Sequence, residues 1–87
     1  MATINVGDLV RITDVGYNYP NYREMYRAMG FANDNERYNP YVVGQVLRVF
    51  SSISHPDGRT TLYGLEPVGG GTQILIDNRG IEYLFPG

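Results

Sequence analysis

Apolar and polar residues alternate in short stretches along most of this chain, and in one segment the spacing changes to that of a helix. From Ile4 to Thr13 the order opens on a Gly7-Asp8 turn and then alternates, with Val10 and Ile12 on one side and Leu9 and Arg11 on the other. A period of two predicts a half-buried strand, ended by Val15-Gly16. Tyr41 to Ser51 carries apolar residues on both faces, which predicts a central or strongly bent strand with Gly44 as its kink. His55-Pro56-Asp57-Gly58 has turn chemistry, because proline presets φ and glycine accepts a positive one. Thr60 to Glu66 then returns as the partner strand. Beyond the flexible joint Gly69-Gly70-Gly71, Thr72 to Ile76 alternates with Ile74 and Ile76 on one face. Asp77-Asn78-Arg79-Gly80 turns the chain once more. Ile81 to Leu84 is the last short strand, and Phe85-Pro86-Gly87 frays or tucks against the end of the fold.

Residues Tyr17 to Pro40 break this pattern. Tyr22, Met25, Tyr26 and Met29 recur at i, i+3, i+4 and i+7, one apolar stripe of a helix over about residues 21–29. Asn21 followed three residues later by Glu24 has the spacing of a capping box. Gly30 supplies a left-handed stop, and Phe31 stands where a Schellman motif places its apolar clasp, against Tyr26. A helix this short is not stable alone, so its stripe must dock; closing one open end of the fold is the expected role. Ala32 to Pro40 is polar and turn-rich, and Pro40 biases Asn39 toward extended geometry. The whole reads as a mainly β single domain over residues 1–87: a small five-stranded barrel with one short α-helix in its first long loop.

Composition removes chemistry rather than adding it. The chain has 87 residues, no cysteine and one histidine, and all seven basic residues are arginine. Disulfides, thiolate catalysis and zinc ribbons are excluded, as are Schiff bases and a phosphate-loop lysine. No apolar run approaches the roughly 18–20 residues of a membrane span, and no leader pattern precedes a cleavage site; a soluble, cytoplasmic protein is expected. His55 reads as a solvent-facing turn residue. Asp8 and Asp14 sit where turns favour Asp, and Asn33-Asp34-Asn35-Glu36 lacks the spacing of a calcium loop. The chain is therefore expected to be no enzyme, with no cofactor and no metal.

The order of elements resembles an SH3-like barrel. Gly7-Asp8-Leu9-Val10-Arg11-Ile12 is similar to the opening strand of such barrels, KOW-type domains and the small photosystem subunit of that fold among them. Gly44-Gln45-Val46-Leu47-Arg48-Val49 is similar to their second strand, and Gly80-Ile81-Glu82-Tyr83-Leu84 to the closing one. The resemblance covers most of the chain outside Tyr17–Pro40 and implies architecture. Peptide-binding members line a groove with aromatics from the first long loop, where Tyr17, Tyr19 and Tyr41 lie here; the tryptophan such grooves carry is absent.

Six of the eight tyrosines fall between Tyr17 and Tyr41. Tyrosine and arginine are the side chains interface cores favour. The expected function is a protein–protein interaction or structural module, through self-association as a homodimer or as part of a larger particle. Its candidate binding residues are Tyr17, Tyr19, Tyr38, Tyr41 and Arg37, and Tyr17, Tyr19 and Tyr38 are expected to form one exposed patch. The alternative is a KOW-like nucleic-acid binder using Arg23, Arg27, Arg37 and Arg48 with stacking tyrosines. That reading needs the four arginines on one face free of carboxylates, in a chain whose net charge is −2.

Overall fold

The structure, a computed structural model, describes residues 3–87. Five strands form one antiparallel sheet: β1 (Leu9–Ile12), β2 (Val46–Ser54), β3 (Thr61–Glu66), β4 (Ile74–Asp77) and β5 (Ile81–Phe85), with α1 (Arg23–Met29) between β1 and β2. Short 3-10 turns follow β1 (Val15–Tyr17) and join β4 to β5 (Asn78–Gly80). The strand order is β4-β3-β2-β1-β5, so the mainly β expectation holds.

The sheet curls without closing. Val10 and Ile12 of β1, Leu47 and Val49 of β2, Tyr63 and Leu65 of β3, Ile74 and Ile76 of β4 and Ile81 of β5 pack in one cluster. Side chains from both edge strands meet there only if the sheet bends back on itself. Yet β4 and β5 form no ladder with each other, so the closed barrel is corrected to an open, curled sheet. Its bend comes from a bulge, not from Gly44. Val49 pairs with Leu65 and Ser51 with Gly64, which leaves Phe50 as the extra residue; an extra residue bends its strand and raises the local twist.

Phe50 belongs to a second cluster on the other face of the sheet. There Met25, Tyr26 and Met29 of α1 and Phe31 pack on Leu62 of β3 and Leu75 of β4. The helix therefore covers the back of β2, β3 and β4 instead of plugging an open end. This explains why β3 is buried at four consecutive positions and β4 along its whole length. Gly64 lies under the two phenylalanines, where a Cβ would stand 2.8 Å from the Phe50 ring and 3.2 Å from Phe31.

The helix stop forms as the residues dictate. Gly30 adopts φ 81°, ψ 29°, the Phe31 N–H donates to the Tyr26 carbonyl at 3.0 Å, and the two rings lie 4.9 Å apart. The capping box does not form. Tyr22 occupies the cap with no side-chain hydrogen bond, because its ring is drawn into the second cluster beside Tyr19 and this starts the helix one residue late.

Strand bounds shift in the same way. Residues 41–45 are no strand: Gln45 N–H donates to Val42 O at 3.1 Å and Gly44 has φ 97°, a type II turn. β2 begins at Val46 and runs on to Ser54, while β5 reaches Phe85, which pairs with Leu9. The segment after the first 3-10 turn lies along the free edge of β4, where Tyr19 N–H donates to Leu75 O at 2.8 Å and Asn18 bridges Ile76.

Candidate interaction surface

The tyrosines of the long connection part company. Tyr19 is half-buried, donates to the Asp77 carboxylate at 2.8 Å and lies beside Tyr22 and His55. Tyr17 packs against the first cluster under the Arg79 guanidinium, 4.5 Å from its ring centroid. Tyr38 alone stands out in solvent, 87% exposed. Tyr41 is half-buried against the first cluster, with its hydroxyl donating to Thr72 O at 2.7 Å. The expected patch of Tyr17, Tyr19 and Tyr38 does not form, because two of the three hydroxyphenyl groups have partners elsewhere. Tyr38, Tyr41 and Arg37 do come together, lining a recess of about 290 Å³ with Val15, Pro20, Asn18 and Asn39.

Arg37 faces inward. Its guanidinium lies 4.3 Å above the Tyr26 ring and 4.8 Å above Phe31. It donates to Asn33 O at 2.7 Å, Asn33 Oδ1 at 2.8 Å, and the carbonyls of Gln73 and Asn35 at 3.3 Å. Carbonyl oxygens and ring faces take the place of a carboxylate partner. The other arginines of the candidate nucleic-acid face are also engaged, except one. Arg27 pairs with Asp34 at 2.6 Å, Arg48 with Glu66 across the β2–β3 ladder, and Arg23 is exposed. Paired charges at the surface contribute little to stability, but they place carboxylates beside the very arginines a phosphate would need.

Asp77 was unmarked in the sequence and is fully buried. It accepts from the Arg79 backbone N–H at 2.9 Å and from its guanidinium at 2.7 Å, besides Tyr19. Burial pushes its carboxyl upward, but the hydrogen bonds from Arg79 and Tyr19 outweigh that and hold it below its ordinary value. Asp57 is held well below the usual carboxylate range by the N–H groups of Arg59 and Thr60 and the Thr60 hydroxyl. Depressed carboxyls contribute stability that is complete above about pH 4 and lost as pH falls through their folded values. The melting temperature should therefore fall most steeply below about pH 4. The Asp77→Asn chain should show a shallower fall, and parallel curves for the two proteins would refute the assignment. His55 is not solvent-facing as expected: its Nδ1 accepts from Asp57 N–H at 3.0 Å, and its ring rests near Tyr19 and Tyr22.

Exposed apolar side chains mark a surface that the aromatic pattern missed. Val42 and Val43, at the tip of the type II turn, are 66% and 61% exposed, and Val15 and Val46 nearby are also open. Turn tips favour Gly, Pro, Asn, Asp and Ser, so two adjacent valines beside Gly44 were the available signal. Among the described residues no group of three His, Cys, Asp or Glu side chains is placed to hold a metal, and no helix is long and apolar enough to cross a membrane. No protein-family model, curated protein or solved structure matches the chain.

Proposed function

We propose that the chain is a non-enzymatic module that works by protein–protein contact, and that its contact surface is the apolar rim where the long first connection runs into β2. One observation carries this. Of the nine large apolar side chains exposed among the described residues, five (Val15, Tyr38, Val42, Val43 and Val46) belong to that connection and its junction with β2. Single exposed apolar residues are ordinary; a concentration of them is the mark of a surface that something covers. The chemistry of the surface is tyrosine with valine, since Arg37 is engaged inside. A non-catalytic role is supported by where the acids are committed: Asp14 and Asp57 to turn N–H groups, Asp77 to Tyr19 and Arg79. The antiparallel meander with one long first connection supports reading the fold as SH3-like, a class in which loops on a small scaffold make the contacts.

The test is a double substitution at exposed positions. Tyr38→Ala with Val42→Asp should leave the melting temperature within about 2 °C, as surface changes do, and should abolish recovery of the proteins that copurify with the wild-type chain. Undiminished recovery of those proteins would overturn the proposal.

A further inference from the structure

We infer that the occupant of this surface is a second copy of the same chain, paired about a two-fold axis so that the Val42–Val43 tip of each copy enters the Tyr38–Tyr41 recess of the other. The inference rests on the interaction surface proposed above and adds the identity of the partner.

Three observations lead to it. The first is shape. A tip carrying two exposed valines lies next to a recess walled by Val15, Pro20, Tyr38 and Tyr41, with Asn18, Arg37 and Asn39 as its polar part, since Tyr41 lines the recess and Val42 follows it directly. A two-fold axis between a projection and a hole satisfies both at once, which is the self-complementarity an isologous dimer requires. The tip is also held rigid: Gly44 N–H donates to Ile12 O at 2.8 Å and Ile12 N–H to Gln45 O at 3.0 Å. A pre-formed tip loses little conformational freedom on docking.

The second is charge. Near a two-fold axis every charged group meets its own copy, so an unpaired charge would repel itself. No carboxylate lines the recess, and its one cation, Arg37, is directed at carbonyls and rings. Around it, Arg11 is paired with Glu82, and the Asp14 carboxylate accepts from Gly16 N–H at 2.8 Å. The third is size. Tyr38 and the four valines together offer roughly 500 Å² of exposed surface, taking about 200 Å² for a whole tyrosine. Buried from both copies this is about 1,000 Å² in total, the lower bound for a specific interface and short of the standard size. A reversible dimer is expected rather than an obligate one.

The absence of cysteine from the chain makes a direct test clean. Val43→Cys and Tyr38→Cys proteins, each shown to be folded by circular dichroism, are mixed under oxidised glutathione. The mixed disulfide dimer should exceed by about tenfold that formed between Val43→Cys and Val68→Cys, an exposed position on the β3–β4 loop. In sedimentation equilibrium the wild-type chain should show a concentration-dependent dimer, weakened at least about tenfold by Val43→Asp. A wild-type chain that is monomeric up to about 1 mM, or a Val43–Tyr38 cross-link no stronger than the Val68 control, overturns the self-pairing. If the chain is monomeric while Val43→Asp still abolishes binding of a copurifying protein, the second copy is wrong and the interaction surface stands. If Val43→Asp changes neither, both fall.

Discussion

Replacing Gly80 with alanine is expected to destabilise the protein by about 3 kcal/mol, measured as a drop in the urea midpoint at unchanged slope. A Cβ at this position would stand 2.6 Å from the Asp14 carbonyl oxygen and 2.7 Å from Ile76 Cδ1, closer than such atoms come. The backbone cannot easily withdraw, because the Gly80 carbonyl accepts from Thr13 N–H at 2.8 Å and Asp14 N–H at 3.2 Å. Moving it would forfeit bonds of about 1 kcal/mol each and lift the end of β1 from the start of β5. Gly64 makes the instructive comparison. The obstacles there are the rims of two phenylalanine rings, which can swing, so alanine at 64 should cost less, about 1–2 kcal/mol. A Gly80→Ala chain with the stability of wild type would mean that this crossover is looser than its hydrogen bonds indicate.

Arg37→Met is expected to cost about 2–3 kcal/mol, the second largest effect. Methionine keeps the apolar stem over Tyr26 and Phe31 but removes every donor, leaving the carbonyls of Asn33, Asn35 and Gln73 without their common partner. Charged hydrogen bonds contribute about 1.5–3 kcal/mol, and a cation over an aromatic face about 0.5–2; partial exposure of the site keeps the sum toward the lower end. Arg37→Lys should recover little, since an ammonium cannot reproduce the planar fork that serves three carbonyls at once. This experiment separates the structural role from the binding role that the residue type invites. Should Arg37→Met melt like wild type yet lose its partner, Arg37 would be a contact residue after all.

Features set by neighbouring residues were legible in the sequence. Gly30 with Phe31 stops the helix, His55 to Gly58 turns the chain, and Ile74 and Ile76 share a face, because each depends on a few adjacent residues and a backbone preference. Features set by distant partners were not. Asn21 and Glu24 have the spacing of a cap, but Tyr22 gains more from docking beside Tyr19 than the box would provide. Asp77 sits at a turn position typical of exposed Asp, and only the arrival of Tyr19 from 58 residues away makes it a buried anchor. Arginines and tyrosines close together in the chain looked like a surface because composition does not reveal which way a guanidinium faces. Val42 and Val43 read as strand residues for the same reason: alternation cannot distinguish a strand from a turn that precedes one.

The segment of Asn18 and Tyr19 lying along β4 has a further consequence. β4 is an edge strand whose sequence, Ile-Leu-Ile-Asp, is nearly all apolar, and its outer backbone groups would otherwise be a template for another chain. The long connection hydrogen-bonds to that edge as a guard strand. Damage to this connection, whether by Arg37 or by loss of the helix dock, would bare a sticky edge before the rest of the sheet came apart. Loosened variants of this protein should therefore be lost to aggregation rather than to simple unfolding, and the segment that departs from the regular strand pattern is what keeps the β4 edge from recruiting other chains.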